Sequence, residues 1–106
     1  MTIRPSVSAG SLILVHAFDY LTFVFAVGVL GVPIGWEWNP LMAGSWLVGG
    51  PLLVLAAEAA LVAIILAVMA RVTTRSLWPP FLIGCVFGLV GVTANTLAIH
   101  AFLGGS

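Results

Sequence analysis

The sequence predicts an all-α integral membrane protein with three transmembrane helices, because its composition is strongly apolar and three long apolar segments follow one another. Of the 106 residues, 62% are hydrophobic and only 6% are charged, whereas a soluble domain carries about 25% charged residues. The formal net charge is zero, and no basic run is present that would attract nucleic acid. We therefore treat residues 1–106 as one transmembrane domain that does not bind nucleic acid.

The first predicted helix covers residues 8–31 and has Asp19 near its middle. A helix of this length rises roughly 36 Å at ~1.5 Å per residue, which is enough to cross a hydrocarbon core of ~30 Å. A carboxylate at that depth is costly unless it faces protein, water or a partner. The surroundings of Asp19 are therefore the main question that the sequence raises.

Two further helices are predicted, at residues 46–70 and 80–103. Residues 32–45 interrupt the pattern with prolines and glycines, and their tryptophans suit the membrane–water interface. We expect these residues to form a loop that lies in the headgroup layer. Gly49, Gly50 and Pro51 fall in the first turns of the second helix, where proline is tolerated.

The basic residues predict the orientation of the chain. Arg4 precedes the first helix, and Arg71 and Arg75 follow the second, so all three fall on one side of a three-span protein. Because basic residues favour the cytoplasmic side, the N-terminus is expected in the cytoplasm and the C-terminus outside, in a prokaryotic inner or plasma membrane.

One polar residue falls at a similar depth in each predicted helix. Asp19, Glu58 and Asn95 lie close to the middle of the first, second and third helices. His16 and Thr22 lie three residues before and after Asp19, so they share its helix face. We predict a shared intramembrane polar cluster built from His16, Asp19, Thr22, Glu58 and Asn95.

A stripe of glycines on the third helix predicts a close helix–helix contact. Gly84, Gly88 and Gly91 lie on the same face as Asn95, and the Gly84-x-x-x-Gly88 spacing allows another helix to approach. The opposite faces of the second and third helices are also unlike lipid-facing surfaces, with small or polar residues at Ala56, Ala60, Ala63 and Ala67 and at Thr93, Thr96 and His100. Two such faces predict that other transmembrane chains cover the outside.

Several roles are open to the ionisable residues. Asp19 and Glu58 could be neutral acids that hold helices together, or they could handle protons or cations. His16, Asp19 and Glu58 have the residue types of metal ligands, but no close ligand motif supports a metal site, so none is predicted. His16 or His100 could bind haem or a chlorophyll-type pigment. Cys85 is expected to be a small buried hydrophobic residue.

Glu37-x-Asn39-Pro40 is the most motif-like part of the first loop. Pro40 favours an extended Asn39, whose side chain can form an Asx-type turn. Glu37 is expected to accept bonds from loop amides or to pair with His100, which falls on the same side of the membrane. A turn anchored by tryptophans and a site for an outside ligand are both compatible with this segment.

These residues resemble a pattern of small uncharacterised prokaryotic membrane proteins that are grouped as a domain of unknown function. The pattern has Asp and Thr in the first helix, then Glu-x-Asn-Pro, and an Asn late in the chain, here Asp19, Thr22, Glu37, Asn39, Pro40 and Asn95. The doubled threonine of that pattern is replaced by Thr22-Phe23. The resemblance implies the three-span fold and implies no activity.

No nucleophile–base pair or phosphate-binding loop is visible in the sequence, so an enzyme is not expected. We expect a non-catalytic accessory subunit of a larger respiratory or photosynthetic type of membrane complex, in contact with lipid and other transmembrane subunits. The alternatives are a homo-oligomeric proton or cation transporter that uses Asp19 and Glu58, and a haem- or pigment-binding membrane module.

Overall fold

A computed structural model describes residues 5–71 and 78–104, and every regular element in these ranges is helical. Three segments are long and apolar enough to span a membrane, namely Ala9–Leu30, Pro40–Arg71 and Phe81–Gly104. Their apolar side chains lie mostly on the outside of the bundle, as expected where the surrounding solvent is lipid. The prediction of an all-α membrane protein with three spans is confirmed.

The first span combines two kinds of helix. Helix α1 covers Pro5–Phe23 and continues into a π-helical segment, Val24–Leu30. The segment ends at Gly31, whose φ of 83° lies in the left-handed region, where a residue with a Cβ is disfavoured. The backbone N–H groups of Gly31 and Val32 both donate to the carbonyl of Ala26. The span therefore ends where the sequence predicts, but its last turns are wider than an α-helix.

The second helix begins six residues earlier than predicted. Helix α2 covers Pro40–Arg71, whereas the sequence pattern placed its start at Trp46. The side chain of Asn39 accepts a hydrogen bond from the N–H of Leu41 at 3.0 Å, so Asn39 is an N-cap and Pro40 is the first helical residue. The Asn-Pro pair thus starts a helix, and only residues 31–39 form the connection, with a 3-10 turn at Ile34–Trp36.

A glycine divides α2 into two parts. Gly50 has φ 64° and ψ −153°, which is not helical, and Pro51 follows as the first residue of the second part. The sequence analysis places Gly49, Gly50 and Pro51 inside the first turns of one continuous helix, whereas in the structure the helix is broken at Gly50. Residues 51–71 are roughly 31 Å long at ~1.5 Å per residue, which matches the hydrocarbon core.

Helix α3 covers Trp78–Gly104 and runs beside α1 in the same direction, whereas α2 runs in the opposite direction. The buried side chains of Phe23, Met42 and Val54 form a small apolar core near the end of the bundle that carries the 3-10 turn. We call this end the loop end. The ring of Trp46 packs edge-on against Phe23 with centroids 5.7 Å apart, which fixes the first part of α2 to the first span.

Candidate functional site

The glycine stripe of α3 packs against α1. Gly84, Gly88 and Gly91 are all buried; we call them the glycine seam. A Cβ at Gly88 would collide with the side chain of Val15, and one at Gly91 would collide with the carboxylate of Asp19. The absence of side chains on α3 therefore makes room for an acidic residue of α1 inside the bundle.

His16 links all three helices through its two ring nitrogens. Its Nδ1 lies 2.9 Å from Oε2 of Glu58 on α2, and its Nε2 lies 3.0 Å from the carbonyl oxygen of Gly84 on α3. A carbonyl can only accept, so Nε2 must carry a proton. Nδ1 and Glu58 then share one further proton between them, because one of the two must donate to the other.

Asn95 fixes the other side of Asp19. Its side-chain amide donates to Oδ1 and to the backbone carbonyl of Asp19, both at 3.1 Å, and to the hydroxyl of Thr22 at 3.0 Å. The Thr22 hydroxyl in turn donates to the carbonyl of Phe18. The amide therefore ties α3 to α1 one turn beyond the last glycine of the seam.

The structure brings together all five residues that the sequence placed in the polar cluster, which are His16, Asp19, Thr22, Glu58 and Asn95. His16, Glu58 and Asn95 are only 3–5% exposed. One ligand-type atom from each of His16, Asp19 and Glu58 lies within 4.8 Å of the others. Two carboxyl groups and an imidazole thus meet at the middle of a low-dielectric bundle.

The connecting loop reaches the polar cluster from the loop end. Glu37 and Asn39 line a small cavity that Asp19 and Glu58 also line, and Oε1 of Glu37 accepts a bond from the N–H of Asn39 at 3.1 Å. Burial raises the pKa of the Glu37 carboxyl above its usual range. The loop therefore brings a third carboxyl to the outer end of the cluster.

Of the two alternatives that the sequence leaves for Glu37, the structure shows the bond from a loop amide. Glu37 accepts the N–H of Asn39, whereas no pair with His100 is formed in the part of the chain that the structure describes, and His100 is exposed on α3. The ring of Trp36, in contrast, packs edge-on against Phe102 with centroids 6.1 Å apart. An aromatic contact, not an ionic one, joins this loop to the end of α3.

An apolar groove of about 480 Å³ lies between α1 and α2. His16 and Glu58 line it at its floor, and the small residues Ala17, Ala59 and Ala63 form part of its walls. Its end is marked by Tyr20, whose hydroxyl donates to the carbonyl of Pro51 at 3.2 Å. The two helices are therefore bridged at discrete points, with open space between the bridges.

The histidines differ in what they offer a cofactor. Both ring nitrogens of His16 are engaged inside the protein, so a haem or pigment at His16 would have to replace one of these bonds. His100 is exposed on the outside of the bundle, and its role as a pigment ligand stays a prediction that an absorbance spectrum of the purified protein would test. Cys85 is half-buried, in accord with a packing role.

Sequence reasoning missed two contacts of the site. It left Tyr20 out of the polar cluster, although Tyr20 lies four residues after His16 and so shares its face. It also did not identify the partner of the glycine seam, which the structure shows to be α1. The signal was present in both cases, since the polar residues of α1 and the glycines of α3 each recur every three or four residues along one helix face.

No protein-family model matches the chain, and comparisons with curated proteins and with solved structures gave no similar protein. The functional argument therefore depends on the geometry of the site alone.

Proposed function

We propose that this chain is a non-catalytic subunit that packs within a larger, multi-subunit membrane complex. The observation that carries the proposal is the apolar groove of about 480 Å³ between α1 and α2, which opens to the outside of the bundle and has small residues in its walls. The occupant that we propose is a transmembrane helix of another subunit.

The small residues of the groove favour a helix as its occupant. The alanines in the groove walls, Ala17, Ala59 and Ala63, allow a helix backbone to come close, as small residues do at membrane helix interfaces. His16 and Glu58 are only 3–5% exposed, so a docked helix would pack over an apolar surface and leave their hydrogen bond unchanged.

Two other faces of the bundle support the same proposal. The alanines at 56, 60, 63 and 67 on α2 are all exposed, and so are Thr93, Thr96 and His100 on α3. The hydroxyl of Thr96 is satisfied by the carbonyl of Val92 at 2.7 Å. These faces are the ones that the sequence predicts to contact other chains.

The positive-inside rule gives the proposed orientation of the subunit. Arg71 ends α2 and is exposed, whereas Arg4 and Arg75 lie outside the described residues. We propose that the Arg71 end of the bundle faces the cytoplasm of a prokaryotic cell, and that the loop end faces outward.

Site-specific crosslinking in native membranes tests this function. A photoreactive side chain at Ala63, in the groove, is expected to crosslink another protein. The same group at Phe87, which is exposed on α3 away from the face of Thr93, Thr96 and His100, serves as the matched control. Purification in mild detergent should then give a species larger than the 11.0 kDa chain. A lone monomer, with equal crosslinking at both positions, would contradict the proposal.

A homo-oligomeric proton or cation transporter is the second candidate. It is favoured by the alignment of His16, Glu58 and Asp19 with the small cavity that reaches Glu37 near the loop end. In liposomes, Asp19→Asn and Glu58→Gln should each abolish flux that Thr96→Val leaves intact. Flux at background for the wild-type protein removes this candidate.

A further inference from the structure

We propose that His16, Asp19 and Glu58 bind a divalent transition-metal ion. The sequence gives no ligand motif, because the three residues come from two antiparallel helices and their approach depends on the fold. The structure places an imidazole nitrogen and two carboxylate oxygens within 4.8 Å of one another. Bonds of ~2.0 Å in a tetrahedral site hold the donors roughly 3.3 Å apart, so the most distant donors would have to approach each other by about 1.5 Å to bind one ion.

The orientation of His16 suits a ligand. The carbonyl oxygen of Gly84 accepts a hydrogen bond from Nε2–H of His16, with the two heavy atoms 3.0 Å apart. Gly84 belongs to the glycine seam and not to the ligand set. This bond leaves Nδ1 directed at the carboxylates. Histidines that bind metals regularly donate their other N–H to a carbonyl or carboxylate in this way, which fixes the tautomer and the ring.

Asp19 is positioned by a comparable neighbour. The amide of Asn95 donates to Oδ1 of Asp19 at 3.1 Å and Gly91 leaves space for the carboxylate. Asn95 is 5% exposed, so its bond is held inside the bundle. Asn95 is therefore a positioning residue for the proposed site, and it would not bind the ion in this arrangement.

The charges balance when a divalent ion is present. Two carboxylates carry two negative charges, a neutral imidazole carries none, and a divalent cation brings the site to zero. A net charge inside the hydrocarbon region is expensive, so the site must hold either one divalent ion or two protons, one shared by His16 and Glu58 and one on Asp19. Binding of the ion must displace both protons, because the ligating nitrogen and both carboxylates are deprotonated.

The donor set indicates the class of ion. One nitrogen and two oxygens suit zinc, cobalt, iron or manganese in their divalent states, whereas calcium and magnesium prefer oxygen alone. The cavity lined by Asp19 and Glu58 has a volume of about 10 Å³, close to what one water molecule needs. This cavity would supply the fourth position and would lie on the side of Glu37, toward the loop end.

Metal titration of the full chain in mild detergent tests the site. After chelator treatment, Zn²⁺ should bind with one ion per chain, release protons and compete with Co²⁺, whose bound form should show visible absorption bands. His16→Leu should abolish binding. Asn95→Leu should weaken it by about 10–100-fold, the usual effect of losing a group that orients a ligand.

Two matched controls separate ligation from general damage. Thr96→Val and His100→Leu change exposed residues on the same helix as Asn95, and both should leave the affinity unchanged. If His16→Leu does not fold, the affinity of Asn95→Leu and the proton release of the wild-type protein decide the matter. Weak binding without proton release, or equal binding by wild type and Asn95→Leu, would overturn the proposal. None of these outcomes depends on whether the chain has partner subunits.

Discussion

The two interfaces of α1 differ sharply in how they are packed. Toward α3, the glycines of the seam contribute no side chains to the interface, and the side chains of Leu12, Val15 and Asp19 on α1 occupy the space above them. Toward α2, the contacts are isolated bridges with an apolar groove between them. The first interface is complete within this chain, whereas the second has room for a further helix.

The two interfaces stabilise the polar cluster to different extents. Inside a bilayer there is no hydrophobic driving force between helices, so close packing and interhelical hydrogen bonds hold them together. The α1–α3 side has both, through the seam and Asn95. The α1–α2 side has the apolar core around Phe23 at the loop end, but along the groove it depends mainly on the pair of His16 and Glu58. Its geometry there should be more sensitive to the loss of a single pair.

The largest expected effect is the loss of His16, which bridges both interfaces. His16→Leu leaves Glu58 buried without its partner, and breaking a buried pair in this way costs about 3–5 kcal/mol. The free energy of unfolding in mild detergent measures the change. His100→Leu is the matched control, since that ring is exposed, and equal effects of the two substitutions would disprove the bridging role.

A smaller effect is expected from filling the tight interface. In Gly88→Ala the new methyl group would meet Val15 of α1, and such overpacking costs about 1–3 kcal/mol. Gly44→Ala provides the control, because a Cβ at Gly44 has no other atom within 4 Å. It should be neutral or more stable by up to about 1 kcal/mol. If Gly88→Ala is as stable as Gly44→Ala, the seam is not close-packed.

Glu37 lies at the loop end beside both interfaces of α1, since it lines one cavity with Asn95 of α3 and another with Glu58 of α2. Burial raises its pKa above the usual 4.5, so the folded state binds this proton more tightly than the unfolded state. Its stabilising contribution is fully present below pH 4.5 and is lost as pH rises through the raised pKa. Wild type should therefore lose stability relative to Glu37→Gln as pH rises, and a difference independent of pH would contradict the burial.

The smallest effect is expected at the open interface. Tyr20→Phe removes the hydrogen bond to the carbonyl of Pro51, which is solvent- or lipid-accessible and 3.2 Å long. Interhelical hydrogen bonds in membranes average ~0.6 kcal/mol, so the unfolding free energy should fall by roughly that amount. Thr96→Val is the control, because the Thr96 hydroxyl donates to a carbonyl of its own helix. A loss of unfolding free energy above ~2 kcal/mol for Tyr20→Phe would show that this contact between α1 and α2 depends on more than one hydrogen bond.

Much of the fold follows from the sequence, because span length and apolar composition are local properties. The same holds for membership of the polar cluster, since His16, Asp19 and Thr22 follow helical spacing and Glu58 and Asn95 lie at matching depth. Depth is fixed by counting from the helix ends, and polar residues in a membrane usually face the interior of the bundle. Polar residues at one depth on three adjacent helices are therefore expected to lie near one another.

The remaining features depend on register and rotation, which counting does not give. Glu37 turns inward and not toward His100, because the early start of α2 at Pro40 shortens the loop. The three donors of the proposed metal site meet only when α1 and α2 take one particular rotation. The π-helical segment arises from the way the first span ends at Gly31, and no apolar periodicity signals it.

The break at Gly50 separates the length of α2 from the thickness of the bilayer. A straight helix of 32 residues would be roughly 48 Å long at ~1.5 Å per residue, and it would have to tilt steeply to avoid hydrophobic mismatch. With the break, the residues before Gly50 need not follow the axis of the part that starts at Pro51. Bilayer thickness then constrains the second part alone, and the ten residues from Pro40 to Gly49 are released from that constraint.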